Sequence, residues 1–149
     1  MPDIQSPLVG TVRALSAVPD ELFAQGVMGP GVAIDPPDEV VDAVAPIDGT
    51  LLQVFPHAFV VVADDGLAVL VHLGLDTVQL QGEGFTVFAA KGDRVSAGTP
   101  IIAYDVPAVR AAGRATIAPV VVLERSSEDV TVLAALDAGI RPGSPLLSV

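Results

Sequence analysis

The chain holds two histidines, His57 and His72, and they are its most versatile groups. A neutral imidazole nitrogen is a good nucleophile near neutral pH, since its ordinary pKa is about 6.5. Side by side, one ring could attack phosphorus while the other hydrogen-bonds a phosphoryl oxygen, or both could ligate one metal ion. The two flank a hairpin signal: Phe59–Ala63 (FVVVA) and Leu67–Leu73 (LAVLVHL) are joined by Asp64-Asp65-Gly66. A two-residue Asp64-Asp65 loop sets His57 directly opposite His72, with Cβ atoms about 4.5–5.5 Å apart on one face. A three-residue turn closed by Gly66 shifts the pairing by one. It puts the side chains on opposite faces unless a bulge corrects it. Both registers are open at this point. The valines of the two runs give the pair apolar surroundings, where each hydrogen bond to a phosphoryl group is stronger. The plainer alternative is two histidines satisfied in a core or on a surface.

Other groups carry less. Asp76, in Leu73-Gly-Leu-Asp76-Thr, could orient an imidazole or begin a turn. Gly82-Glu-Gly-Phe85 lacks the Lys and the helix of a phosphate loop and reads as a turn. The acidic run Asp35-Pro-Pro-Asp-Glu-Val-Val-Asp42 has no central Gly and reads as a solvated loop rather than a calcium loop. Ser126-Ser-Glu-Asp129 reads as a turn or helix cap. No Ser has a G-x-S-x-G setting, and Lys91, in Ala-Ala-Lys-Gly, has no flanking Met.

What must position these groups is a β framework. The 149 residues suit one domain, residues 1–149, with residues 1–7 expected as a flexible N-terminal segment. Hydrophobic residues reach 51% and aromatics only 4%, with five Phe, one Tyr and no Trp, so the core is aliphatic. Many short β-branched runs, punctuated by 14 Gly and 13 Pro, predict an all-β fold: an antiparallel sandwich or barrel with only short helical turns. Those turns are expected at Pro19–Gly26 and at Pro107–Gly113 after Asp105. The net charge of −11 repels nucleic acid and anionic lipid and suits a basic partner. Without Cys there is no disulfide framework, thiolate metal site or cysteine nucleophile. No apolar run approaches the roughly 18 residues of a membrane helix, and the N-terminus lacks a leader pattern, so a cytoplasmic protein is expected.

Two half-motifs recur: Ala45-Pro-Ile-Asp-Gly-Thr-Leu51 and Lys91-Gly-Asp-Arg-Val-Ser-Ala-Gly-Thr-Pro-Ile101, the second returning as Ala138-Gly-Ile-Arg-Pro-Gly-Ser-Pro-Leu146. This spacing is similar to that of biotinyl and lipoyl carriers and related barrel-sandwich hybrids, which implies a duplicated hybrid motif. The segment His57-Ala-Phe, Asp64-Asp-Gly66, Val69-Leu-Val-His72-Leu-Gly-Leu-Asp76-Thr-Val-Gln-Leu-Gln-Gly-Glu-Gly-Phe85 goes further. It resembles the signature of the glucose-family enzyme IIA component of the bacterial phosphoenolpyruvate:sugar phosphotransferase system. Ser6-Pro-Leu-Val-Gly-Thr-Val, Val18-Pro-Asp-Glu-Leu-Phe-Ala, Gly31-Val-Ala-Ile-Asp-Pro, Asp105-Val-Pro and Pro119-Val-Val agree, so the likeness runs from about Ser6 to Val149.

The resemblance implies that His72 accepts a phosphoryl group from phospho-HPr and passes it to the IIB domain of a membrane sugar permease, as a protein-histidine phosphotransferase relay. His57 would steady the group. Asp76 would sit on the docking face, with Met28, Val32, Phe55, Phe59 and Leu70 as candidates for its apolar depression. No cofactor is implied, and a monomer is expected. Transporters or enzymes bound in the unphosphorylated state are further expected partners, and a purely regulatory binding module is an alternative function. A second alternative is a zinc peptidase of related fold, for which His57, His72 and Asp76 barely suffice because the family's H-x-H pair is missing. A weak intermolecular zinc site using both histidines is open in either case. The chain departs from the family twice. Val54-Phe-Pro-His57 offers no hydroxyl where members often have a Thr, and Gly29-Pro-Gly31 stands where many have Gly-Asp-Gly.

Overall fold

A computed structural model describes residues 3–149. In chain order the strands are β1 (Asp3–Gln5), β2 (Gly10–Ala14), β3 (Gly31–Asp35), β4 (Val40–Val44), β5 (Gly49–Phe55), β6 (Ala58–Val62) and β7 (Ala68–His72), followed by β8 (Phe85–Val87), β9 (Arg94–Val95), β10 (Pro100–Asp105), β11 (Ala118–Val122), β12 (Thr131–Val132), β13 (Gly139–Ile140) and β14 (Pro145–Ser148). Two short helices, α1 (Glu21–Ala24) and α2 (Val106–Ala111), complete the regular elements with three single-turn 3-10 segments. The all-β expectation holds. The helices fall where expected because each has a sequence cap: Asp20 accepts from the Leu22 amide and Asp105 from the Ala108 amide.

One sheet of eight strands runs in the order β13-β2-β3-β11-β7-β6-β5-β9, and two sheets of three run β4-β10-β8 and β1-β14-β12. Every described pairing is antiparallel. The main core lies between one face of the large sheet and the two small ones. Val32, Phe59, Val61, Val69, Val71 and Val120 come from the former, and Ile4, Ile101, Tyr104 and Leu147 from the latter. Alternate residues of the same central strands form a second cluster on the other face: Ala33, Ala58, Val60, Leu70 and Val121. This face is roofed by Leu15, Val18 and Phe23. Strands covered on both faces read as unbroken apolar runs, which is why FVVV and PVVV show no alternation.

The duplication is visible in the backbone hydrogen bonds. The Gly98 amide donates to Ala45 O and the Gly143 amide to Ser6 O; Leu51 donates to Asp93 O and Val12 to Ala138 O. Ala45 donates to Thr99 O as Ser6 does to Ser144 O. Ser6-Pro-Leu8 is thus the partner half of the C-terminal copy, just as Ala45-Pro-Ile47 is of the middle one. The expected flexible segment 1–7 is accordingly corrected from residue 3 onward, residues 1 and 2 lying outside the described chain. Asp3 pairs with Ser148 and Ile4 with Leu147, and Ile4, Ser6 and Leu8 are fully buried. The acidic stretch read as a loop over 35–42 is also shorter than expected: β4 begins at Val40 and pairs with β10. Among the described residues no helix is long and apolar enough to cross a membrane.

Candidate functional site

His72 ends β7 and faces the second cluster, on the same side as Leu70. The chain then turns sharply. Gly74 has φ +80°, a conformation that costs a residue with Cβ and costs Gly nothing. The turn brings the Gly74 carbonyl back onto the ring, 2.6 Å from His72 Nδ1. A carbonyl can only accept, so Nδ1 carries the proton and donates, and the lone pair of the neutral ring sits on Nε2.

His57 reaches His72 by a route that neither register of the hairpin provides. The ladder pairs Ala58 with His72 and Phe59 with Val71, because Gly66, at φ +92°, closes the longer turn. This is the shifted register, in which strict alternation would separate the two rings. No bulge between them restores it: the irregularity in β5 lies at Leu51/Gln53, on the far arm of the next hairpin. His57 instead lies outside the strands, in the two-residue Pro56-His57 turn between β5 and β6. Pro56 presets the turn, and a turn residue is free of the strand's alternation. The ring tips over the end of β7 and meets His72 edge to face, centroids 5.2 Å apart at 72°. Backbone ties the arms together, the Leu73 amide donating to His57 O at 2.7 Å.

Aromatic rings brace the pair from both sides. Phe23 lies 5.3 Å from His72 at 56°, and Phe55 stacks on His57 at 5.9 Å and 27°. Burial lowers the pKa of His72 below the ordinary histidine value; the Gly74 hydrogen bond and the carboxylates of Asp20 and Asp76 offset part of that shift. Burial, with His72 as a neighbouring cation, lowers that of His57 too. Both rings are therefore neutral at pH 7 and available as nucleophile or acceptor. His72 opens into a cleft of about 230 Å³ lined by Asp20, Phe23, Met28, Asp76 and Val78.

The remaining sequence candidates divide. Met28, 37% exposed, and Phe55, 49% exposed, are on the surface beside the histidines, and exposed Asp76 sits at the cleft with φ +56°. Leu70 faces the site side of the sheet but is buried under it. Val32 and Phe59 are corrected: both are essentially inaccessible and point into the main core, Phe59 alternating away from Ala58 and Val60. They cannot touch a partner. The residues missed by sequence reasoning are Gly74, whose carbonyl holds His72, and Phe23, which packs on it; exposed Leu22 and Val78 also flank the cleft. The positive-φ need of a Leu-Gly-Leu turn was the available signal for Gly74. Among the described residues no cluster of three or more His, Cys, Asp or Glu could hold a metal ion, so the zinc-peptidase alternative has no ligand set.

Over residues 2–128 the chain matches the family model described as phosphoenolpyruvate-dependent sugar phosphotransferase system, EIIA 1. It is 49% identical over 122 residues to the mannose-specific EIIBCA component of Corynebacterium glutamicum, a match covering 80% of this chain and 18% of that protein. It is 42% identical over 121 residues to the glucose-specific EIIA component of Bacillus cereus, covering 80% and 72%. The chain thus spans a fifth or less of the EIIBCA relatives it matches. The glucose permease IIA from Mycoplasma capricolum superposes with a TM-score of 0.87 at 30% identity, covering 98% of this chain and 94% of that one.

Proposed function

Because the chain belongs to the EIIA 1 family of the phosphoenolpyruvate-dependent sugar phosphotransferase system, we propose that it is a phosphocarrier in which His72 is the phosphoryl acceptor. The supporting observation is the pairing of the two imidazoles, with His72 Nδ1 bound to the Gly74 carbonyl and Nε2 left bare. Phospho-HPr is the proposed donor and the IIB domain of a membrane sugar permease the proposed acceptor, on the cytoplasmic face.

In the first step the Nε2 lone pair attacks phosphorus in line. The new N–P bond forms as the donor's N–P bond breaks, and the electron pair of the broken bond returns to the donor ring. Phosphoryl transfer needs little covalent machinery beyond positioning and charge stabilisation, and in this scheme His57 supplies the latter. The arriving group adds about −1.5 to −2 charge. That charge raises the proton affinity of His57, 5.2 Å away, so His57 becomes a donor to a phosphoryl oxygen when the group is present. Onward transfer runs the same displacement with a IIB nucleophile. The exposed apolar residues Leu22, Met28 and Val78 around the cleft give the partners a dry surface to dock on.

The test is incubation with phosphoenolpyruvate, enzyme I and HPr. One acid-labile phosphate on His72 is expected. His72→Ala abolishes it, and His57→Ala keeps acceptance while slowing transfer to IIB. Label on another residue, or label retained by His72→Ala, overturns the reading.

A further inference from the structure

The carrier reading depends on one carbonyl, that of Gly74, and the structure shows what holds it. The Gly74 carbonyl and the Leu75 amide belong to one rigid peptide plane. The Leu75 amide donates to Ala115 O at 3.0 Å, which pins that plane from its far side. The preceding plane, Leu73-Gly74, is pinned through its own carbonyl: Thr77 Oγ1 donates to Leu73 O at 2.8 Å. With both planes fixed, neither backbone dihedral of Gly74 is free to turn, and the carbonyl stays aimed at His72.

The anchor on the far side is itself anchored. Ala115 precedes Thr116, whose carbonyl accepts from the Tyr104 hydroxyl at 2.9 Å. The Thr116 Oγ1 accepts from Arg110 Nη2 at 2.9 Å, and Arg110 pairs with Asp38 at 2.6 Å. Tyr104 is fully buried in β10 and stacked on Phe85 at 5.4 Å, so its hydroxyl has one fixed direction. Burial pushes its pKa up, and it is a donor at every physiological pH. The fit around Gly74 is close. A methyl group added there would stand 2.6 Å from Thr77 Cγ2, 2.8 Å from Ala115 O and 3.1 Å from the Tyr104 hydroxyl. A glycine flanked so tightly on three sides has no room to flip its peptide.

We infer that Thr77 and Tyr104 are positioning residues for phosphoryl transfer. The Thr77 hydroxyl holds the peptide before Gly74 directly, and the Tyr104 hydroxyl steadies the one after it indirectly, through Thr116 and the neighbouring Ala115 carbonyl that takes the Leu75 amide. Through the Gly74 carbonyl they hold His72 in the Nδ1–H tautomer with Nε2 facing the cleft. Neither hydroxyl touches the phosphoryl group in this scheme. The inference deepens the carrier reading and rests on it for its consequence in rate, but the tautomer it predicts is measurable without any partner.

The variants are Thr77→Val, which keeps the shape and loses the donor, Thr77→Ser, which keeps the donor, and Tyr104→Phe, which keeps the stacked ring. Nitrogen-15 NMR of the His72 imidazole reads the tautomer and the exchange of the Nδ1 proton. The rate of labelling by phospho-HPr, at several donor concentrations, reads transfer. In Thr77→Val and Tyr104→Phe the Nδ1 proton exchanges faster, Nε2–H tautomer appears, and the saturating rate falls about tenfold with the half-saturating concentration unchanged. Thr77→Ser restores both signals. If Thr77→Val does not fold, Tyr104→Phe alone decides. Folded variants with the wild-type tautomer, exchange and rate overturn the inference. A wild-type chain that shows the Nδ1–H tautomer but takes no phosphate overturns the carrier reading instead.

Discussion

Phe55 stacks on His57 with centroids 5.9 Å apart and planes inclined by 27°, and it does so while half exposed. The His57 ring is thus braced by a surface aromatic from β5. A stacked pair of this kind is worth about 0.5–1.5 kcal/mol beyond area burial. Phe55→Ala should leave acceptance at His72 close to wild type, because the Gly74 hydrogen bond is untouched. It should slow onward transfer severalfold, because His57 can then swing off the phosphoryl group. Rapid-quench measurement of the two half-reactions separates these; equal rates in both halves would show the stack to be idle.

The two lowered histidine pKa values set a pH dependence. An unfolded histidine titrates near 6.5, whereas His72 and His57 titrate lower in the folded protein, chiefly because burial disfavours their charged forms. Between the two values the unfolded chain binds more protons, so stability rises with pH there. The contribution is complete above about 6.5 and declines as the pH drops toward the folded-state midpoints. Urea unfolding at pH 7.5 and 5.5 checks the sign: wild type should lose more stability on acidification than His72→Gln. Proton NMR titration should place both midpoints below 6.5. A midpoint above that value for either ring contradicts the burial of the pair.

Phe59 and Met28 separate packing from docking. Phe59 is fully buried in the main core, and Phe59→Ala should cost about 3–5 kcal/mol of stability. Met28 is exposed on the cleft, so Met28→Ala should change stability by no more than about 0.5 kcal/mol while weakening partner binding. Thermal unfolding and titration calorimetry with HPr distinguish the two. A Met28→Ala protein that melts early but binds normally would reverse the assignment.

Ile4 tests the clasp at the chain's beginning. It is fully buried and pairs with Leu147, so Ile4→Ala should cost about 2–5 kcal/mol, an amount foreign to a loose terminal segment. Denaturant midpoints of Ile4→Ala against wild type provide the number. A change within a few tenths of a kcal/mol would mean that β1 contributes nothing.

The parts of the site that could be read in the chain were those with local causes. The places of α1 and α2 and the identity of the two imidazoles follow from neighbouring residues. The hairpin register did not, because Asp64-Asp65-Gly66 suits two loop lengths and only the left-handed Gly66 distinguishes them. The meeting of His57 with His72 depends on a turn residue, whose direction no strand periodicity encodes. Val32 and Phe59 were assigned to the wrong face for a related reason. AFVVV and GVAID are apolar on both sides, so periodicity does not say which face of either strand the segment 15–23 roofs. β1 was invisible because three residues carry no pattern, and its partner β14 lies at the other end of the chain.

That partnership has an engineering consequence. Asp3 and Ser148 stand side by side in one sheet, so a linker of a few residues can join them without disturbing either strand. New ends opened at the exposed Asp64-Asp65-Gly66 turn would then yield a circular permutant with the same sheets in a different order of synthesis, and with both imidazoles still facing one another.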